Sequence, residues 1–321
     1  MNDAVLITGS SGFIGTAVLK ALNAAGSNRQ LVFAGRGLGL TPDGAARVVL
    51  DLASPEIGVP AGIATVLHLA GEKRDPRRMD AVNHRSAVRL VEAAARAGVR
   101  RFVHLSSVGV YGVSKHAGRV DETHAHTPRN DYEVSKDAGE QAVRERCAAL
   151  GLACVVLQSS NVVGIVPGLS YPLLGLARMV ARGWFRHVGR GDAWVNYVAV
   201  EDVAAALVTA LRDEVPQGTF IVNTPAPLRE LVGWMAAELG VPAPARSIPQ
   251  ALAAAAAAAG ALGKAVLRRE LPFSPERLLE LTNTTRYDGD AITRAAGFVY
   301  PLGIEKAVRA MVRHYRREGL A

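Results

Sequence analysis

Short apolar runs alternate with helix-length segments through the first half of the chain. Ala4–Thr8, Leu31–Ala34, Val48–Leu50, Val66–Leu69, Phe102–Leu105 and Cys154–Leu157 are nearly continuous in apolar side chains. A strand wetted on one face alternates polar with apolar, whereas a strand covered on both faces does not. Helical spacing fills Phe13–Ala25, Met79–Ala97 and Tyr132–Leu150. Doubly buried strands separated by helices predict a parallel sheet, and right-handed crossovers make it a doubly wound α/β fold.

After about residue 160 the rhythm changes. Positions 164–172 read as a loop, Leu173–Arg182 as a helix, Val195–Val200 as a short strand and Glu201–Arg212 as a helix. Phe220–Asn223 reads as a last strand that returns to the sheet. The alanine-rich stretch from Ala251 is expected to be an ordered helix, because alanine is the best helix former. With Pro272–Pro275 and a final amphipathic helix, Ile304–Arg317, it makes a smaller lobe. No internal repeat is visible.

The 321 residues, 49% hydrophobic and 21% charged, are enough for a large core. The longest apolar run, Ala251–Ala261, is almost all alanine and glycine, too short and too weakly hydrophobic to span a bilayer. The N-terminus enters a strand pattern directly, with no signal-peptide pattern. The two cysteines, Cys147 and Cys154, form neither a disulfide framework nor a metal motif. A cytoplasmic, reduced setting is therefore expected. The formal charge of +8 comes from arginines scattered along helices, such as Arg85, Arg89 and Arg96, without interleaved aromatics. That pattern argues against nucleic acid and for a small anionic ligand.

Thr8-Gly9-Ser10-Ser11-Gly12-Phe13-Ile14-Gly15 lies between the first strand and the first helix. Glycine is needed there for a tight turn, for close approach of a diphosphate and for helix–strand packing, with the anion on the helix N-terminus. Further on stand Ser106-Ser107-Val108-Gly109-Val110-Tyr111-Gly112 and Tyr132-Glu133-Val134-Ser135-Lys136. Tyr132 and Lys136 are four apart on a helix and share one face. A phenol of pKa about 10 is a poor base at neutral pH, and a nearby ammonium lowers it. Ser107, at the carboxyl end of a strand, is placed to hold a substrate oxygen.

These motifs resemble those of the extended short-chain dehydrogenase/reductases, a family that includes nucleotide-sugar epimerases and 4-ketoreductases. The resemblance implies a Rossmann fold, with residues 1–165 as an NAD(P)-binding domain. Residues 166–321 would be mainly a substrate-binding lobe, with about 195–223 returning to the sheet. It implies that Gly9, Ser11, Gly12, Phe13, Ile14, Gly15, Asp51, Leu52, Leu69, Ala70, Gly71, Lys73, Asn83, Tyr132 and Lys136 hold the dinucleotide. Ser107, Tyr132 and Lys136 would be the catalytic residues, with Tyr132 moving the proton during hydride transfer. Ser107, Val108 and Asn161 would meet the substrate, and a homodimer would form through the helices near 79–97 and 132–150. Where an NAD enzyme places an acid after the second strand, this chain has Gly35 and then Arg36, so NADP is expected in preference to NAD.

The resemblance makes a nucleotide sugar the expected substrate. Gln158-Ser159-Ser160-Asn161-Val162-Val163-Gly164 keeps the family's asparagine, but Gln158 replaces an arginine and Val163 a tyrosine. Val195 stands where several sugar enzymes have a diphosphate-pairing arginine; Arg182, Arg186, Arg190 or Arg286 are alternative sources of that charge. The lost arginine, and apolar Val162, Val163, Leu169 and Leu173–Leu176, favour a second reading, a reductase of a less polar carbonyl compound. A third is a non-catalytic dinucleotide sensor. His68 and His104 read as packed histidines, His124 and His126 lack a third metal ligand, Trp184, Trp194 and Trp234 read as packing residues, and Asp202 as structural.

Overall fold

A computed structural model describes residues 4–26, 29–35, 46–112, 117–165, 171–267 and 275–321. Arg36 and Leu169 lie outside the described residues. Seven strands form the central sheet: β1 (Ala4–Thr8), β2 (Leu31–Gly35), β3 (Ala46–Val49), β4 (Ile63–His68), β5 (Arg101–Ser107), β6 (Ala153–Ser159) and β7 (Gly218–Val222). They lie in the order β7-β6-β5-β4-β1-β2-β3, and every neighbouring pair is parallel. The sequence reversal between β1 and β4 makes the switch point at which ligands bind in such sheets.

The central strands carry apolar side chains on both faces because the two faces meet different helices. Val5 and Ile7 join Val18 and Leu22 of α1 (Phe13–Ala24), and Leu207 and Ala210 further along. Leu6, Val66 and Phe102 join Leu90 and Val91 of α2 (Ser86–Arg96) and Val143 of α3 (Asp131–Leu150) on the opposite face. Asn130 caps α3 by accepting from the Glu133 amide at 2.9 Å, and Gly151, at φ +73°, turns the chain from α3 into β6.

The second half adds α4 (Leu174–Ala181), α5 (Val200–Ala210), α6 (Leu228–Leu239), α7 (Gln250–Leu267), α8 (Pro275–Thr282) and α9 (Ile304–Arg317). α5 covers the sheet beside α1, while α4, α6 and α9 pack around Val180, Leu231, Met235, Val308 and Met311. Asp202 in α5 accepts from the amides of Leu302 and Gly303, at 2.8 and 2.9 Å, and fastens the start of α9 to the sheet. The strand expected over Val195–Val200 is broken at Asn196. Trp194–Val195 pairs with Ala226–Pro227, and Tyr197–Ala199 pairs with Asn161–Val163. The cause is the buried Asn196 side chain, which donates to the Thr285 carbonyl and accepts from the Tyr287 amide and Asn223.

A short helix, Pro76–Met79, runs through a π-helical turn, Asp80–Arg85, into α2. α3 crosses that turn at Gly139, where a Cβ would sit 2.1 Å from the Asn83 carbonyl oxygen. Gly139→Ala is therefore expected to lower stability by about 1–3 kcal/mol, the usual cost of overpacking. Gly233→Ala, in α6 with nothing within 4 Å of the added carbon, should hold or raise it. Thermal melts of the two variants check this contrast; a Gly139→Ala midpoint at or above the parent's would refute it.

Candidate active site

Two cavities lie at the carboxyl edge of the sheet. The first, about 400 Å³, is bounded by the loop after β1 (Gly9, Ser11, Gly12), by Ala34 and Gly35, by Leu50–Ala53, and by Leu69–Glu72 after β4. Gly9 has φ +73°, and a Cβ there would stand 2.7 Å from the Ala70 amide nitrogen. Gly15 packs α1 onto the loop, since its Cβ would meet the Gly9 carbonyl oxygen at 2.3 Å. Gly12 starts α1 without a side-chain cap, so the helix N-terminus with its free amides opens at this cavity. A glycine cradle on an uncapped helix end fits a diphosphate.

Gly9, Ser11, Gly12, Asp51, Leu52, Leu69, Ala70 and Gly71 line the cavity. Phe13 and Ile14 instead pack half-buried against the core. Lys73 is exposed and not part of this lining. Asn83 is buried behind Gly71: it accepts from the Glu72 amide at 2.7 Å and donates to the Glu72 carbonyl at 2.7 Å and to Ser135 at 2.9 Å. It shapes the loop from behind, in a π turn, a geometry common near functional sites. Sequence reasoning missed Arg78, whose side chain adds a cation to the lining, and Glu72, whose carboxylate accepts from the amides of Lys73 and Arg74 at 2.9 and 2.8 Å.

The second cavity, about 300 Å³, begins at Ser107 and Tyr132. Ser107 ends β5 and accepts from the Gly109 amide at 3.1 Å, while Tyr132 lies in the first turn of α3. The two hydroxyls are hydrogen-bonded; burial raises the Tyr132 pKa, against the pull of that bond. One turn along, Lys136 is 5% exposed and donates to the Leu105 carbonyl at 2.7 Å. Burial lowers its pKa to about 8, while the carboxylate of Glu140 acts to raise it. His68 and His104 stack beneath at 5.3 Å between ring centres. Burial and the Lys136 charge hold His68 down to about 3 and His104 well below its ordinary value, so both rings are neutral.

Glu140 was not anticipated. It is fully buried, and the Gln158 amide donates to both its oxygens at 2.9 and 3.1 Å. The Tyr111 hydroxyl in turn donates to Gln158 at 2.7 Å. The available signal was its spacing, four residues beyond Lys136 on the same helical face. Gln158, which replaces an arginine of the resembling family, offers Glu140 no charge, so Lys136 supplies the charge opposite this carboxylate.

On the substrate side, Val108, Asn161, Ser160, Trp194 and Tyr287 line the second cavity. The Ser160 and Tyr287 hydroxyls are buried without a partner among the described residues. Trp194, expected as a packing residue, is a wall of the cavity, with the Arg286 guanidinium 4.7 Å over its ring. Glu133 and Glu280 are the charged side chains in the described lining. Trp184 is not packed either: it is 65% exposed, because the turn after α4 carries it outward. His124 faces Asp121 at 2.9 Å and His126 faces Asp137 at 2.5 Å, each a local ion-pair geometry.

The sequence model of the NAD dependent epimerase/dehydratase family matches residues 5–223. The chain belongs to that family. An N-acetyl-alpha-D-glucosaminyl-diphospho-ditrans,octacis-undecaprenol 4-epimerase of Escherichia coli O157:H7 is 25% identical, covering 100% of this chain and 98% of its own. A 2'-dehydrokanamycin reductase of Streptomyces kanamyceticus is 31% identical over 78% of this chain and 70% of its own. The structure titled MoeE5 in complex with UDP-glucose and NAD shares the fold, with a TM-score of 0.70 and 23% identity over 99% of this chain and 100% of that one. This family member is an enzyme of the NAD(P)-dependent oxidoreductase/epimerase type that uses a nicotinamide dinucleotide.

The buried Glu140 generates a prediction with a definite sign. Glu140→Gln removes the negative charge that favours the Lys136 ammonium, so the lysine pKa falls below its present value of about 8. Turnover that depends on the ammonium should then decline at lower pH than in the parent. The alkaline limb of kcat/KM against pH reads this directly, and an unmoved limb would count against it.

Proposed function

We propose that the enzyme is a 4-epimerase or 4-ketoreductase of a nucleotide-activated sugar, with Ser107, Tyr132 and Lys136 as its catalytic residues. The observation that carries this reading is the Ser107–Tyr132 hydroxyl pair, one helical turn from a buried lysine and facing a cavity of hydroxyl groups and an indole wall. The bound nicotinamide ring would accept or return a hydride at the sugar carbon. Ser107 holds the substrate oxygen by a hydrogen bond, and Tyr132 exchanges its phenolic proton with that same oxygen. Lys136, one helical turn from Tyr132, has donors to spare for the cofactor ribose beyond the one on Leu105. Burial raises the Tyr132 pKa, opposite to the lowering expected of a nearby ammonium, so the phenol stays protonated at neutral pH, the state from which a ketone reduction starts.

The sugar reading is supported by the names of the full-length relative and of the UDP-glucose complex, by Asn161 in the cavity lining, and by Arg286 beside it as a partner for diphosphate. NADP preference is supported by Gly35, which puts no carboxylate at the end of β2, and by Arg78 in the cofactor cavity. A homodimer is supported by Val134 and Leu150, which α3 leaves exposed at 52% and 40%. One observation favours the second reading, a less polar carbonyl compound: among its described residues the substrate cavity has no lysine or arginine in its lining.

Melting the protein with NADP⁺ or NAD⁺, and then with UDP, dTDP, GDP or CDP added, separates these readings. A ligand at a hundred times its dissociation constant adds about 2.7 kcal/mol. The expected result is a larger shift with NADP⁺ than with NAD⁺, and a further rise with one nucleotide. No nucleotide response in a protein still stabilised by NADP⁺ would move the substrate to the uncharged carbonyl class. Tyr132→Phe should cut turnover by at least about a hundredfold, the scale of general acid–base catalysis, while dinucleotide binding persists; retained turnover would remove Tyr132 from its role.

A further inference from the structure

The substrate lobe carries an outer face that the catalytic reading leaves unused. Beyond α4 the chain exposes Arg182 and Trp184 and then enters the short strand His187–Val188. That strand pairs with Ser247–Ile248, and Gln250 opens α7 against Gly189. One continuous edge therefore runs from Trp184 to the start of α7. Trp184 is 65% exposed with the Arg182 guanidinium 5.0 Å over its ring, and Leu252 in the first turn of α7 is 60% exposed. Leu279, in α8 packed beside α7, is 43% exposed. α7 carries no charged residue before Lys264, and of its described side chains only Ala253 and Ala257 are buried.

Cations surround this apolar edge. Arg182, Arg190, Arg229 and Arg246 are exposed on the adjoining segments, with Arg186 half-buried among them, and Asp192, Glu230 and, beside Leu279, Glu280 are the nearby acids. Arg229 donates to the Arg190 carbonyl at 3.3 Å, and the Arg246 carbonyl accepts from the His187 amide at 3.0 Å, so these segments are physically joined. Trp184 and Leu252 stand at the two ends of one edge, and exposed large apolar side chains along a shared edge point to an interaction site. Tryptophan prefers the boundary between water and hydrocarbon, and arginine can bury its stem while keeping its charge among headgroups. A second copy docking through a two-fold axis would set these arginines against one another.

We propose that this face, with Trp184, Leu252 and the exposed side of α7 ringed by Arg182, Arg190 and Arg246, seats the protein on an anionic phospholipid surface. The protein lies on the membrane; no described helix is long and apolar enough to cross it. Glu280 follows Leu279 in α8 and lines the substrate cavity, so this face lies next to one wall of that cavity. The inference rests on the surface alone and stands whichever carbonyl compound the enzyme takes.

Sedimentation of the full-length protein with vesicles of equimolar phosphatidylglycerol and phosphatidylcholine, against pure phosphatidylcholine, tests it. Binding is expected to the anionic vesicles at low salt, at least about tenfold stronger than to the neutral ones, and to weaken at high salt. The double variant Arg190→Gln/Arg246→Gln should bind about twentyfold more weakly, since each basic residue near the surface contributes severalfold. Leu252→Glu should also release the protein, with its circular dichroism and NADP⁺-induced melting shift unchanged. Brominated lipid should quench fluorescence of the parent more than of Trp184→Ala. Failure to sediment with anionic vesicles at low salt, or sedimentation untouched by Leu252→Glu, overturns the proposal. So does a dimer in sedimentation velocity that Leu252→Glu dissolves, because a second copy would then cover this face.

Discussion

A buried positive charge governs how this molecule is assembled. Lys136 is 5% exposed, and moving an ammonium out of water costs several kcal/mol unless other groups compensate. Here the Leu105 carbonyl accepts one of its protons, and the fully buried Glu140 stands one turn further along α3. Both require α3 to lie tightly against β5 and the π-helical turn. Gly139 permits that approach by leaving room for the Asn83 carbonyl, and the Asn83 side chain then ties α3, through Ser135, to the backbone of Glu72. The same hydrogen bonds hold the floor of the cofactor cavity. Tyr132, carried by the first turn of α3, is fixed against Ser107 as a consequence.

Neutral neighbours keep this charge effective. His68 and His104 stack below Lys136. Two protonated rings in that position would repel the ammonium, and burial together with the lysine charge keeps both rings neutral. Gln158 acts similarly from the other side. An arginine at that place would pair with Glu140 directly and weaken its hold on Lys136. The neutral amide satisfies both carboxylate oxygens while leaving the charge to the lysine.

The parts legible in the sequence are those written within one element or one turn. The glycine loop, Ser107 and the Tyr132–Lys136 pair depend on local spacing, and unalternating apolar runs disclosed a sheet covered on both faces. Strand limits were less legible where a polar residue is buried. β5 begins at Arg101, whose guanidinium is taken up by the carbonyls of Ala210, Asp213 and Val215, contacts more than a hundred residues away. Asn196 broke an expected strand for the same reason. The Tyr111–Gln158–Glu140 chain and the indole wall at Trp194 draw on separate segments, and no periodicity announces their meeting.

The distribution of charge shows why composition alone misleads about ligands. An excess of eight positive charges suggested a chain built around an anion. The cofactor cavity does contain Arg78 beside the glycine cradle, yet the charged side chains in the described substrate lining are Glu133 and Glu280. Arg286 reaches that cavity only from outside, lying over Trp194. Arg182, Arg186, Arg190, Arg229 and Arg246 stand on the outer edge of the lobe, around Trp184 and α7, where water and counterions screen them until an anionic surface displaces those counterions. A cation that recognises a single buried phosphate is held by neighbouring groups in a fixed geometry. Arginines spread beside an exposed indole and the uncharged first part of α7 meet a surface instead, and local concentration rather than geometry sets their effect.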